Sequence, residues 1–141
     1  MNKHERIADF ARQFEGQGID PRYVGYFELF NAQKFYEAHD VLEDLWLADK
    51  HGANGNFYKG LIQLAGAFVH LQKSRLHPSA ALFKLARTNL EKYPALHEHL
   101  DNAAVLNLIE IWMHWVESKH FKKNPLEEFP APTISLPSTR R

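Results

Sequence analysis

His39 and Glu43 stand four positions apart in FYEAHDVLEDLW, residues 35 to 46, and Gln63 and His70 stand seven apart in FYKGLIQLAGAFVHLQKS, residues 57 to 74. On a helix those spacings are one turn and two turns, so each pair shares a face. An imidazole one turn from a carboxylate can serve three ends. It can form a satisfied polar network that fixes the register of two packed helices. It can grip a divalent metal such as zinc or iron, with His39 and Glu43 from one helix and His70 as third ligand from another. It can also do metal-free acid and base work, Glu43 orienting His39 and raising its basicity while Gln63 and His70 hold a small polar ligand. The residues alone leave all three open, with His39 and Glu43 as the catalytic candidates.

The elements that carry these groups follow from apolar periodicity. On a helical wheel Phe35, Ala38, Leu42, Leu45 and Trp46 form one stripe, with His39 inside it and Glu43 at its edge. Glu37 points to the opposite side, where a first-turn carboxylate complements the helix dipole. The second helix is apolar nearly all round, as expected of a central helix packed on several sides. Its exceptions, Gly60, Gln63, Ala67 and His70, share a stripe on which the small residues let a neighbour approach closely. A buried imidazole, carboxylate or amide without a partner costs about 1–3 kcal/mol. His39, Glu43, Gln63 and His70 are therefore expected to pair with one another between the two helices.

Around this pair the pattern predicts further helices and no strand. Ile7, Phe10, Ala11 and Phe14 mark a helix over 3–15 that stops at Gly16 and Gly18, and Asp20-Pro21 is an N-cap with proline at the first helical position. Pro78 and Ser79 open a helix to about Lys92, closed by Pro94, and a last one spans about 103–121 with Trp112 and Trp115 on its apolar side. His97-Glu98-His99 reads as surface. Glu110, His114 and Glu117 read as a solvated, ion-paired face, because the Glu-x-x-His spacing of di-iron bundles occurs there only once, at Glu117 and His120. The expected class is all-α, a compact bundle of about six helices over residues 1–123. Residues 124–141, with Pro125, Pro130, Pro132 and Pro137, form an extended tail whose Phe129, Ile134 and Leu136 can press on the helices as a strap or leave it trailing.

Composition narrows the function classes. A chain of 141 residues is long enough for one sizeable core, and its 17 basic and 17 acidic side chains produce no overall field for nucleic acid or an anionic membrane. Lys119, Lys122 and Lys123, with Arg140 and Arg141, lack the interleaved aromatics of a single-strand binder. The absence of cysteine excludes thiolate metal sites and thiol nucleophiles. MNKHERIADF has no signal-like apolar region and GLIQLAGAFVHL is too short to span a bilayer, so the expectation is a cytoplasmic chain. No Gly-x-Ser-x-Gly elbow, phosphate loop or dinucleotide fingerprint occurs.

Phe30-Asn31, Glu37-Ala38-His39, Glu43 and Trp46, followed by Gly60-Leu61-Ile62-Gln63-Leu64-Ala65 and His70, resemble the signature of a prokaryotic family catalogued as domain of unknown function 309, over roughly residues 26 to 90. The resemblance implies a small all-α bundle and no settled activity. It makes Glu37, Trp46, Gln63 and His70, beside His39 and Glu43, the positions expected to bind a ligand. Where members have a Gly-Asn-x-x-Gly-Ala turn, this chain has Ser74-Arg75-Leu76-His77-Pro78-Ser79-Ala80. FNAQKFYEAHDVLEDLW and HPSAALFKLARTNLEKYP also resemble, loosely, helical hairpins of a tetratricopeptide array. A second class of function therefore stands beside a small-ligand site, a protein-interaction module or homo-oligomer in which the polar cluster is purely structural.

Overall fold

The computed structural model describes residues 1–136; Pro137, Arg140 and Arg141 of the tail lie outside the described residues. Helix α1 (Lys3–Ala11) opens on a reciprocal cap, the Asn2 side chain accepting from the Glu5 N–H at 2.8 Å while the Asn2 N–H donates to Glu5 Oε1. A 3-10 turn (Arg12–Phe14) prolongs it, and Gly16 and Gly18, at φ of 84° and 80°, turn the chain where a side chain would be strained. Helix α2 (Pro21–Asn31) starts as expected on Asp20, whose carboxylate accepts from the Arg22 N–H. A left-handed Gln33, φ 63°, then sends the chain back into α3 (Phe35–Asp49).

Helix α4 (Gly55–Gln72) is the centre of the bundle. The Phe68 ring lies 5.0–5.6 Å, centre to centre, from Phe30 of α2, Phe35 of α3, Phe83 of α5 (Leu76–Leu90) and Trp112 of α6 (Asn102–Ser118). One fully buried ring thus joins four neighbouring helices, and truncating such a side chain costs about 3–5 kcal/mol. The close approach expected of the small residues on α4 is made to α5. A Cβ added at Gly60 would lie 2.9 Å from Leu90 and 3.2 Å from Asn89, and one at Gly66 would lie 3.1 Å from Leu82.

Three sequence expectations shift. Helix α5 begins at Leu76, two residues before Pro78, because a proline in the first turn removes an N–H that had no helical partner. The segment after Pro94 is a small antiparallel hairpin, β1 (Leu96–His97) with β2 (Leu100–Asp101), turning on left-handed Glu98 and His99; strands of two residues are too short to show a period. Within it Glu98 and His99 are exposed as expected, while His97 is half-buried. Its ring packs 4.8 Å from Phe57 and from Tyr93, and its Nε2 lies 2.7 Å from Asn54 Oδ1.

The face of α6 opposite its tryptophans is ion-paired as expected, Glu110 to Arg87 at 2.7 Å and Glu117 to Lys84 at 3.6 Å, with His114 exposed. Beyond α6 and a 3-10 turn (Pro125–Glu127) the tail grips the bundle twice. Phe129 stacks on Trp115 with ring centres 3.9 Å apart, and the buried Ile134 exchanges two backbone hydrogen bonds with the Asn31 side chain. Among the described residues no helix is long and apolar enough to cross a membrane.

Candidate functional site

A cleft of about 310 Å³ opens between α3, α4 and α5. Helix α3 contributes His39 and Glu43 to it, and α4 contributes Gln63 and His70. Its remaining wall is largely apolar, made by Ile62, Gly66 and Val69 of α4 with Leu82 of α5, while Lys59 and Tyr36 complete the lining. The two pairs singled out by spacing therefore face one concavity.

Within that cleft the polar groups are partnered differently from expectation. His39 Nδ1 lies 3.2 Å from Asp40 Oδ1, its own neighbour in sequence, and not on Glu43. Glu43 and Asp40 are spanned instead by the ammonium of Lys3, which reaches across from α1 to 3.6 Å and 3.3 Å respectively. Gln63 accepts at Oε1 from Asn89 Nδ2 of α5 at 2.8 Å, so its own amide N–H groups are left to face elsewhere. His70 Nδ1 is buried and has no hydrogen-bond partner. Burial, reinforced by the positive charges of Arg75 and Lys73, holds the His70 imidazole below its ordinary value, so it is neutral near neutral pH.

The candidate metal ligands separate into two sets. One ligand atom each from His39, Asp40 and Glu43 fall within 4.8 Å of one another. His70 lines the same cleft outside that trio. Asp40 is the member that helical spacing missed, since residues at i and i+1 ordinarily diverge.

Trp46 sits beside the cleft through Lys59, whose ammonium lies 4.3 Å over the indole centre, with Lys50 at 5.7 Å. Glu37 is exposed and lines a separate groove with Arg6, Phe10 and Leu29, and Tyr36 forms the partition between the two concavities. Lys59, one turn before Gln63, was legible as a same-face neighbour. Leu82 and Asn89 share a face of α5 two turns apart, but nothing local marks that face as a cleft wall.

A second network sets the pose of α1 over α3. Asp44 meets His4 Nδ1 at 2.7 Å and accepts from Arg22 Nη1 at 2.9 Å, and Arg22 also binds Asp20 through Nε and Nη2 at 3.1 and 3.0 Å. Burial works to raise the Asp44 carboxyl, but the hydrogen bonds from His4 and Arg22 outweigh it and hold it below the ordinary carboxylate value. These contacts bring the N-terminal turn of α1, and so Lys3, to the acidic edge of α3.

No curated protein and no solved structure matches the chain. Residues 23–82, which run from α2 through α3 and α4 into α5 and include His39, Glu43, Gln63, His70 and Leu82, match the family model described as Domain of unknown function (DUF309), the family that the motifs resemble.

Proposed function

We propose that the protein binds a small ligand in the cleft between α3, α4 and α5, with His39 and Glu43 placed at its mouth as the groups able to exchange a proton with that ligand. The observation that carries the reading is convergence. Four polar side chains, His39, Glu43, Gln63 and His70, face a concavity otherwise walled by Ile62, Gly66, Val69 and Leu82, which is the composition of a small-molecule pocket. A network serving only to fix helix register would be expected to satisfy its own members, yet His70 Nδ1 is buried without a partner. The test is a fragment screen by chemical-shift perturbation on the full chain, run beside a Leu82→Trp variant that fills the cleft. Saturable shifts at cleft residues that vanish in the folded variant support the reading. Shifts absent in both, with His39→Ala unfolding the chain, would return the cluster to a structural role within an interaction module or oligomer.

A specific observation favours a second reading, divalent metal at His39, Asp40 and Glu43, whose ligand atoms lie within 4.8 Å of one another. One imidazole and two carboxylates suit zinc or iron and leave positions open for a bound ligand. Metal content by mass spectrometry on untagged protein, compared with His39→Ala, tests it: near-stoichiometric metal lost in the variant is the supporting result.

A further inference from the structure

The charges around the cleft are unequal in how they are balanced. Glu43 carries the only carboxylate in the lining, and it is countered from outside by Lys3 at 3.6 Å. The only lysine in the lining, Lys59, is held over Trp46 and has no carboxylate partner among the described residues. Its ammonium is therefore the one full charge of the cleft that nothing in the described residues neutralises. One turn further along α4, Gln63 has its oxygen engaged by Asn89 and keeps its N–H donors. Two turns beyond Gln63, His70 also lines the cleft, with its Nδ1 buried and without a hydrogen-bond partner. The Lys59 and Gln63 donors thus lie one turn apart on α4, next to Ile62, Val69 and Leu82, which offer nothing polar.

We propose that the ligand is a small monocarboxylate with a short apolar body, its oxygens taken by the Lys59 ammonium and the Gln63 amide and its body laid against Ile62, Val69 and Leu82. This rests on the reading of the cleft as a ligand site and assigns the chemical class to it. A single uncompensated cation matches one negative charge. A dianion such as a phosphate monoester would need a second cation, and Glu43 would repel it about twice as strongly as it repels a monoanion. A volume of about 310 Å³ lies at the lower end of ligand pockets, about 300–1,000 Å³, and suits a short apolar body better than a long acyl chain or a nucleotide.

The experiment is a chemical-shift titration of the full chain with a graded series of short straight-chain and branched monocarboxylates, each beside its primary amide and the amine of equal length. Carboxylates are expected to shift the Gln63 side-chain N–H groups and the Ile62 and Leu82 methyls saturably, and to bind about tenfold or more tighter than the amides. Lys59→Gln should bring carboxylate affinity down to that of the amides, Lys59→Arg should restore most of it, and added salt should weaken binding to the wild type only. Circular dichroism on each variant establishes that the fold is retained. Amides or amines that bind as tightly as carboxylates at the same resonances would overturn the assigned class while leaving the cleft as a ligand site. If the cleft resonances respond to none of the three probe series, and the fragment screen is also silent there, the site reading falls with it.

Discussion

Asn89 of α5 donates from Nδ2 to Oε1 of Gln63 on α4 over 2.8 Å, and that bond decides which end of the Gln63 amide the cleft meets. Both side chains are half-buried, so the bond is worth about 1 kcal/mol of stability. Asn89→Asp reverses its logic. The new carboxylate accepts where the amide donated, Gln63 turns its N–H groups toward it, and Oε1 then faces the cleft. Carboxylate probes should bind about tenfold more weakly to this variant, with stability lowered by no more than about 1 kcal/mol. Titration of the carboxylate series against wild type and variant checks this, and unchanged affinity would mean that Gln63 orientation does not matter to the ligand.

Lys3 would compete with a metal for the two carboxylates of the candidate trio. Its ammonium is within 3.3 Å of Asp40 and 3.6 Å of Glu43, two members of the trio that includes His39. Half of the Lys3 side chain is exposed, so solvent screens the pair and its loss should cost less than about 1 kcal/mol. Removing a positive charge that close to the carboxylates should strengthen divalent-cation binding on the order of tenfold. Isothermal titration of zinc into Lys3→Gln and wild type reads the difference. Equal affinity in the two proteins, or none in either, counts against a metal at these residues.

The helices themselves were legible because capping and apolar spacing are local. Asp20 caps α2, Phe35 begins α3, and the two polar pairs lie on the helix faces that the wheel assigned to them. What the wheel could not supply was the identity of the third partner. It placed Gly60 and Ala67 on a stripe that would receive a close neighbour, but only the folded chain shows that Leu90 and Asn89 of α5 come to Gly60. Gln63 accordingly bonds to Asn89 rather than to a group on α3. Asp40 and Lys3 were hidden for a related reason. The first is adjacent to His39 in sequence, where helical residues diverge, and the second belongs to a helix whose docking depends on Arg22 and Asp44. The hydrogen bond of His97 to Asn54 and the grip of Asn31 on the tail are set across 43 and 103 residues of chain, beyond any local signal.

Acid should destabilise the fold in two stages, and their order follows from the direction of each shift. The folded value of His70 lies below the ordinary 6.5, so between the two the unfolded chain takes up a proton that the native state does not. Its contribution is complete above about pH 6.5 and is lost as pH falls through the folded value, with a slope of at most about 1.4 kcal/mol per pH unit. The Asp20 and Asp44 carboxyls are also held low: burial raises each, and hydrogen bonds from Arg22, joined by His4 at Asp44, more than offset it. Their contribution is present above about 3.8 and disappears as pH falls through their folded values. Urea unfolding measured from about pH 8 to about pH 3 should show both stages in the wild type, and only the lower one should keep its full size in His70→Gln. An identical slope between about pH 6.5 and about pH 5 in both proteins would remove His70 as its source.

Asn31, at the end of α2, holds the tail through both ends of one side chain. Its Oδ1 accepts from the Ile134 N–H at 2.7 Å and its Nδ2 donates to the Ile134 carbonyl at 2.9 Å, while the Ile134 side chain is buried. Asn31→Ala leaves that N–H and carbonyl with no protein partner, so it should cost about 1–3 kcal/mol and expose Ile134. Asn31→Asp keeps the acceptor and loses the donor, and its cost should fall between wild type and alanine. Hydrogen exchange gives the sharper reading, because the Ile134 amide should lose its protection in Asn31→Ala and retain part of it in Asn31→Asp. The Phe129 stack on Trp115 is a separate grip, five residues earlier along the tail, and tryptophan fluorescence should report whether it survives. Loss of protection at Ile134 with unchanged fluorescence is the expected pair of results. A protected Ile134 amide in Asn31→Ala would show that burial alone retains this part of the tail, and that the paired hydrogen bonds add little to it.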